Sequence, residues 1–213
     1  LRTRGDTDLL IDEDQQQAVD AAFAELGYER HAKPMVQFQS YQDSYGRTDA
    51  LLATHVFDVH RRINNRQLFA AAFTWDELLV NRCPLPAIGS HAQMLTPPFQ
   101  LLHACLHRVS HLHAPHDAGI DRHIGDRLIW FKDIQLLSAA LSDTEWSGLV
   151  DACVDKKICA LVLDSLQAAG CWFPVSLPDF VSDRLRNASA EPSASLLRQG
   201  RLGPILQDLV AIE

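Results

Sequence analysis

Two aspartates one residue apart, Asp6 and Asp8 in Arg4-Gly5-Asp6-Thr7-Asp8-Leu9-Leu10-Ile11, run straight into an apolar stretch. If Asp8 to Ile11 forms a strand, side chains alternate between its faces, and the two carboxylates share one face. At two residues' rise they stand roughly 6–7 Å apart, close enough to converge. Convergence has a cost, because like charges about 4 Å apart repel by roughly 4 kcal/mol at the effective dielectric of a protein surface. A proton on one of them, or a cation between them, relieves that repulsion. Oxygen ligands carried on a strand suit Mg²⁺ or Mn²⁺. The plainer alternative is an aspartate-rich turn ahead of a strand, with Asp6 making a local turn bond.

A second stretch, His55-Val56-Phe57-Asp58-Val59-His60, also reads as a strand, with Val56, Asp58 and His60 on one face. A carboxylate in the middle of a β-branched and aromatic run opposes strand propensity. Burying it unpaired is expensive, so Asp58 calls for a partner, and a cation held by Asp6 and Asp8 would supply one. Three carboxylates on neighbouring strands are a donor set for two divalent metals in phosphoryl or nucleotidyl transfer.

The D-x-D-L-L stretch with Arg4 ahead of it, a helix ending at Leu26-Gly27-Tyr28, and Phe57-Asp58-Val59-His60-Arg61 together resemble the nucleotidyltransferase superfamily. Within it they are most similar to the uncharacterised bacterial nucleotidyltransferase-like family. That resemblance takes in Leu101–His111 and Arg127–Ile134 of the second half and covers roughly residues 1–175. It implies an α+β protein. A small mixed-sheet nucleotidyltransferase-like domain would occupy residues 1–85, without its N-terminal helix or strand, and a helical domain residues 90–213. It also implies Asp6, Asp8 and Asp58 as ligands of Mg²⁺ or Mn²⁺, a nucleoside triphosphate as substrate, and Asp58 as the group that orients or deprotonates an acceptor hydroxyl. Arg4, with Arg2 and Arg61, stands near enough in sequence to contact phosphate; a solvated charge is the alternative for each. The superfamily carries a Gly-Ser or Gly-Gly pair some ten residues ahead of the D-x-D, where it grips the triphosphate. Only five residues precede Asp6 here and none forms that pair. The expectation is therefore an upstream element or an incomplete site, and the rival reading is a catalytically inactive binding or partner module.

Composition narrows the acceptor. A net charge of −8 opposes a broad nucleic-acid surface, which needs clustered Lys and Arg, but not a single nucleotide. The expected acceptor is thus a small molecule or a protein. No apolar run approaches the roughly 18–20 residues of a membrane span, and no signal peptide is visible. The five cysteines, Cys83, Cys105, Cys153, Cys159 and Cys171, form no C-x-x-C pair, so they suit a reducing cytoplasm.

The elements that must position these groups follow from periodicity. Val19, Ala22, Phe23 and Leu26 give a helical face over 14–27, with Asp12 or Asp14 as cap and Gly27 as its stop. Tyr28 to Tyr41 reads as extended, with Met35–Phe38 as a strand. Asp43-Ser44-Tyr45-Gly46 reads as a turn, and Ala50 to Ile63 as the strand bearing Asp58. Helices follow over 66–73 and 75–80. Pro84, Pro86 and Gly89 read as a linker at the domain boundary.

The second half is helical. Pro97-Pro98, capped by Thr96, opens a helix with Leu102, Cys105, Leu106, Val109 and Leu112 facing its core. His103, His107 and His111 recur at every fourth position of it. Such a stripe can bind zinc, but Ala104 and Arg108 stand where a metalloprotease helix carries Glu, and no third ligand has the right spacing. The expectation is a hydrogen-bonding role for His107 or His111, across the domain interface, to Asp133 or near the carboxylates. Residues 113–125 read as an exposed loop, and Asp126 as the cap of a helix through Leu141. Ser142 and Glu145 have capping-box spacing ahead of a helix that buries Trp146, Leu149, Val150 and Cys153. Further helices are expected over 158–169 and 179–186, then a linker over 188–195 and an amphipathic tail.

Overall fold

The computed structural model describes residues 6–31, 41–64, 67–112, 126–190 and 192–197. Arg2, Arg4, the strand expected at Met35–Phe38, the loop over 113–125 and the C-terminal tail lie outside the described residues. The chain forms two compact units, Leu1–Trp75 and Asp76–Glu213.

The first unit is built on a four-stranded sheet. Strands β1 (Thr7–Leu10), β2 (Glu29–Arg30), β3 (Gln42–Thr48) and β4 (Thr54–His60) lie in the order β1-β4-β3-β2. The β1–β4 pair is parallel and the other two pairs are antiparallel, which makes the sheet mixed. Between β1 and β2 runs helix α1 (Gln16–Glu25), entered through a short 3-10 turn whose cap, Asp12, accepts from the Asp14 amide. Gly27 takes the left-handed conformation, φ +76°, that closes the helix. Phe23 is buried on α1, where it stacks on Tyr45 at 4.5 Å and meets Phe57 and Tyr28. Val19 packs against the same cluster, whereas Ala22 and Leu26 are exposed. The apolar face of α1 is thus narrower than its periodicity suggested. A short helix, α2 (Gln67–Ala70), follows the sheet.

Asp43 to Gly46 is not a turn; it is the centre of β3. Turn-forming residues sit in a strand here because each has a partner there. Asp43 is buried and held by two guanidinium groups, with Arg61 Nη1 on one carboxylate oxygen and Arg30 Nη2 2.9 Å from the other. Ser44 bonds across to β4, Tyr45 enters the core, and Gly46 makes room for the His31 ring just past the edge strand. The real turn falls at Asp49, whose carboxylate accepts from the Leu51 and Ala53 amides. A ring of polar bonds ties α1 to the sheet. Gln16 accepts from Arg61 at 2.6 Å and donates to the Tyr45 hydroxyl at 2.9 Å, while that hydroxyl donates to Asp20. Burial, reinforced by Asp20, pushes the Tyr45 hydroxyl up to about 12.

In the second unit α3 (Trp75–Val80, which begins at the boundary) leads into a hairpin of β5 (Arg82–Pro84) and β6 (Gln93–Leu95). The stretch expected as a linker, Pro84 to Gly89, is the last residue of β5 and the first half of that hairpin's connection. Then come α4 (Pro97–Leu112), α5 (Leu128–Ala139), α6 (Asp143–Asp155), α7 (Cys159–Gly170) and α8 (Asp179–Ala188), with a 3-10 segment at Pro192–Leu197. The capping box forms as expected: Ser142 Oγ accepts from the Glu145 amide, and Glu145 accepts from the Ser142 amide at 2.9 Å. Trp146, Leu149, Val150 and Cys153 are buried below it.

Asp126 does not cap α5. The cap position is Arg127, without a side-chain bond, because the Asp126 carboxylate is already committed to Arg108 of α4. Arg108 is buried, with Nε and Nη2 donating to Asp126 at 2.6 and 2.9 Å, and Nη1 donating to Asp164 of α7 at 2.6 Å. Burial alone would lower its pKa; the bonds to the two carboxylates outweigh it and hold the guanidinium above its ordinary value. The histidine stripe runs along α4 with successive ring separations of 6.0 and 4.5 Å, and His107 and His111 both rest against Trp130 of α5 at 5.3 Å.

Candidate active site

Strand alternation gives the sheet of the first unit two faces of opposite character. Tyr45, Phe57 and Val59 fall on the face that α1 covers, and so does the clamped Asp43. Asp8, Asp58, Ser44 and His60 fall on the other, together with Asp6 just ahead of β1. The register is close. Asp8 stands directly opposite Asp58 across the parallel pair, and Asp58 stands opposite Ser44 across the antiparallel one. His31, one residue past β2, donates its amide to the Ser44 carbonyl at 2.8 Å and completes the row. One line across the four strands therefore reads Asp8, Asp58, Ser44, His31.

Each central carboxylate is fixed by a neighbour. The Ser44 hydroxyl donates to Asp58 Oδ1 at 2.5 Å, within the range of charge-assisted O–H···O⁻ bonds. His60 Nε2 lies 2.9 Å from Asp8 Oδ1. The other ring nitrogen, Nδ1, is buried with no hydrogen-bond partner among the described residues. Asp6 reports their mutual repulsion. Its pKa is raised by partial burial of the carboxyl first, and then by the charges of Asp8 and Asp58, although the residue as a whole is exposed.

This donor set has the chemistry of a hard divalent cation site, with carboxylate oxygens of like charge whose repulsion a cation would relieve. Among the described residues, no three His, Cys, Asp or Glu side chains are drawn together to hold a metal as they stand. Asp8 is turned to His60 and Asp58 to Ser44, so a cation would have to exchange for those bonds.

The sequence brought Asp6, Asp8 and Asp58 to one face and the structure places them there; Arg4 lies outside the described residues. Arg61 is neither a solvated charge nor on the carboxylate face, because its half-buried guanidinium is held by Asp43 and Gln16. Sequence reasoning assigned no role to His60 at the acids or to Ser44. His60 was findable from its two-residue spacing to Asp58, which puts both on one face. Ser44 was hidden by the turn reading of its neighbours.

A small mixed sheet that sets a D-x-D pair beside a third aspartate on the parallel neighbouring strand, followed by a helical half, defines a nucleotidyltransferase-like α+β protein. The chain belongs to the family described as uncharacterised nucleotidyltransferase, whose sequence profile matches residues 1–188. No curated protein matches it. Membership assigns the chain a general role in nucleotidyl transfer, with a nucleoside triphosphate as substrate. Among the described residues no helix is long and apolar enough to cross a membrane.

Proposed function

We propose that the protein transfers a nucleotidyl group from a nucleoside triphosphate to a hydroxyl of a small-molecule or protein acceptor. Mg²⁺ or Mn²⁺ would be held by Asp6, Asp8 and Asp58. The observation that carries this reading is the in-register Asp8–Asp58 pair on parallel strands, with Asp6 close enough that both charges raise its pKa. When bound, the cation supplies charge neutralisation for the triphosphate and for the oxygens that gain charge during displacement.

The chain's own residues have separable tasks. Asp58 takes the proton of the acceptor hydroxyl as that oxygen bonds to the α-phosphorus. The bond from the α-phosphorus to its bridging oxygen breaks, and pyrophosphate leaves with the electron pair. Ser44 holds one oxygen of Asp58, which leaves the other for the acceptor. His60 orients Asp8. The spacing of the five cysteines, which form no C-x-x-C pair, supports a reducing, cytoplasmic setting.

A second reading, an inactive binding module, is favoured by the same two bonds, since Asp8 and Asp58 already have partners without a cation. The readings separate in one assay. Full-length protein with Mn²⁺, each nucleoside triphosphate and a panel of polyol and protein acceptors should release pyrophosphate, and a variant with Asp6→Asn and Asp8→Asn together should not. Release unaffected by that double change would sink the proposed site, and no release with any triphosphate would favour the inactive module.

A further inference from the structure

At His31, the end of the carboxylate row, the sheet bears a groove. Gly27, Glu29, His31, Gly46, Thr48 and Thr54 line a cavity of about 350 Å³ within the first unit, a volume within the usual range for small-molecule sites. Strand register fixes which face it occupies. Glu29 lies opposite Gly46, Thr48 opposite Thr54, and Ser44 opposite Asp58. These positions share one parity, so they put most of the groove on the face that carries Asp8 and Asp58; Arg47, which also lines it, has the other parity and reaches towards Leu26 and Tyr28 at the sheet's edge. His31 belongs to both features: it lines the groove and ends the row. Gly46, in the floor, lies diagonal to Asp58 on the adjacent strand, roughly 7–8 Å away. A Cβ there would lie 2.4 Å from His31 Nε2, so only glycine lets the His31 ring lie across the floor.

The lining decides what the groove takes. Two threonine hydroxyls, 3.3 Å apart, an imidazole and a carboxylate offer donors and acceptors to neutral hydroxyl groups. They do not suit a triphosphate. Among the described residues the one guanidinium at the groove is that of Arg47, and it is committed elsewhere, donating to the Leu26 carbonyl at 2.8 Å and lying 5.0 Å from the centre of the Tyr28 ring. The carboxylates of Glu29 and Asp58 would repel phosphate. We infer that this groove is the acceptor site and that it receives a small polyhydroxylated molecule, one hydroxyl of which is presented to Asp58. The inference rests on the transfer reaction proposed above, and supplies its acceptor class.

The full chain tests it with myo-inositol as the probe. Backbone amide shifts on titrating inositol alone, without nucleotide, should move at residues 46–48 and 54 and at His31. In Thr48→Val with Thr54→Val they should require about tenfold more inositol, because a site built for hydroxyls loses its partners. With a triphosphate and Mn²⁺, the same pair of changes should raise the KM for inositol about tenfold and leave the KM for the triphosphate where it was. Shifts in the groove without pyrophosphate release would keep the groove and remove the reaction. An absence of groove shifts, or shifts there from a nucleoside instead of inositol, would overturn the acceptor assignment. So would a rise in the KM for the triphosphate in the threonine variants.

Discussion

Replacing Asp58 with Asn separates a catalytic carboxylate from a structural one, because the structure fixes the size of each term. Asp58 stands beside Asp8, one strand spacing or about 4.8 Å away in the backbone. At about 5 Å two charges repel by roughly 3 kcal/mol at an effective dielectric of 20, and by under about 1 kcal/mol in water. The Asp8 side chain is 69% exposed, so the lower figure applies. Asn therefore relieves about 1 kcal/mol of repulsion. It also turns the Ser44 bond from charge-assisted to neutral, a loss of about 1 kcal/mol. The two terms cancel, and without added cation the Asp58→Asn variant should melt within about 4 °C of wild type. With Mn²⁺ at a hundredfold excess over its dissociation constant, wild type should gain about 2.7 kcal/mol and the variant distinctly less. Transfer should fall by about 10²–10⁴-fold, the size of a lost general base. Parallel thermal melts and a pyrophosphate-release assay read all three quantities. A variant that melts as a broken buried pair would, about 3–5 kcal/mol below wild type without any cation, would show that Asp58 holds the fold, and the catalytic argument would fail with it.

Two further outcomes are expected. Arg108→Met should lower stability by about 3 kcal/mol in urea unfolding, the low end for a broken buried pair, because Asp126 and Asp164, 31% and 39% exposed, can recover water once the guanidinium is gone; a loss under about 1 kcal/mol would mean the triad contributes little. Asp6→Asn should stabilise the cation-free protein at neutral pH. The folded-state pKa of Asp6 is raised, so its ionised form opposes folding above that pKa, and the opposition fades as pH falls towards the ordinary value of 3.8. Melts of the two proteins should therefore converge on acidification, and a gap that widened as pH fell would contradict the repulsion among the three acids.

What the sequence made legible was periodic or covalent in scale. Alternation along Thr7–Leu10 and Thr54–His60 put the three aspartates on one face, and capping chemistry located α6 to the residue. What it hid were assignments that depend on distant partners. Asp43-Ser44-Tyr45-Gly46 has turn composition, and only Arg30, Arg61, Asp58 and His31, each distant in the chain or across the sheet, make it a strand. Asp126 has the composition of a cap, yet Arg108, 18 residues earlier, outbids the helix end for its carboxylate. Local propensity is a weak prior wherever a buried charge has to be satisfied, since an unpaired buried charge costs far more than a lost cap or a poor strand residue.

The two buried or half-buried aspartates of β3 and β4 show why the open face is the one to assign to chemistry. Asp43 and Asp58 sit on adjacent strands, one residue out of register and on opposite faces. Asp43 faces α1, and two arginines neutralise it. Asp58 faces away from α1, and its hydrogen bond comes from a neutral hydroxyl. Had stability alone shaped the second face, the same solution would serve there, because a guanidinium offsets a carboxylate far better than a serine does. Instead the sheet gathers Asp6, Asp8 and Asp58 where each charge raises the cost of the next, and the pKa of Asp6, raised first by partial burial, is raised further by the other two charges. Carboxylates held by a hydroxyl and a histidine rather than clamped by arginines would suit the cation-dependent transfer proposed above, since those bonds can exchange for an ion. The arginine clamp on the covered face then serves the open one. It fixes β3 and the residue after β4 against α1, and thereby holds Ser44 and Asp58 in register on the opposite side of the same two strands.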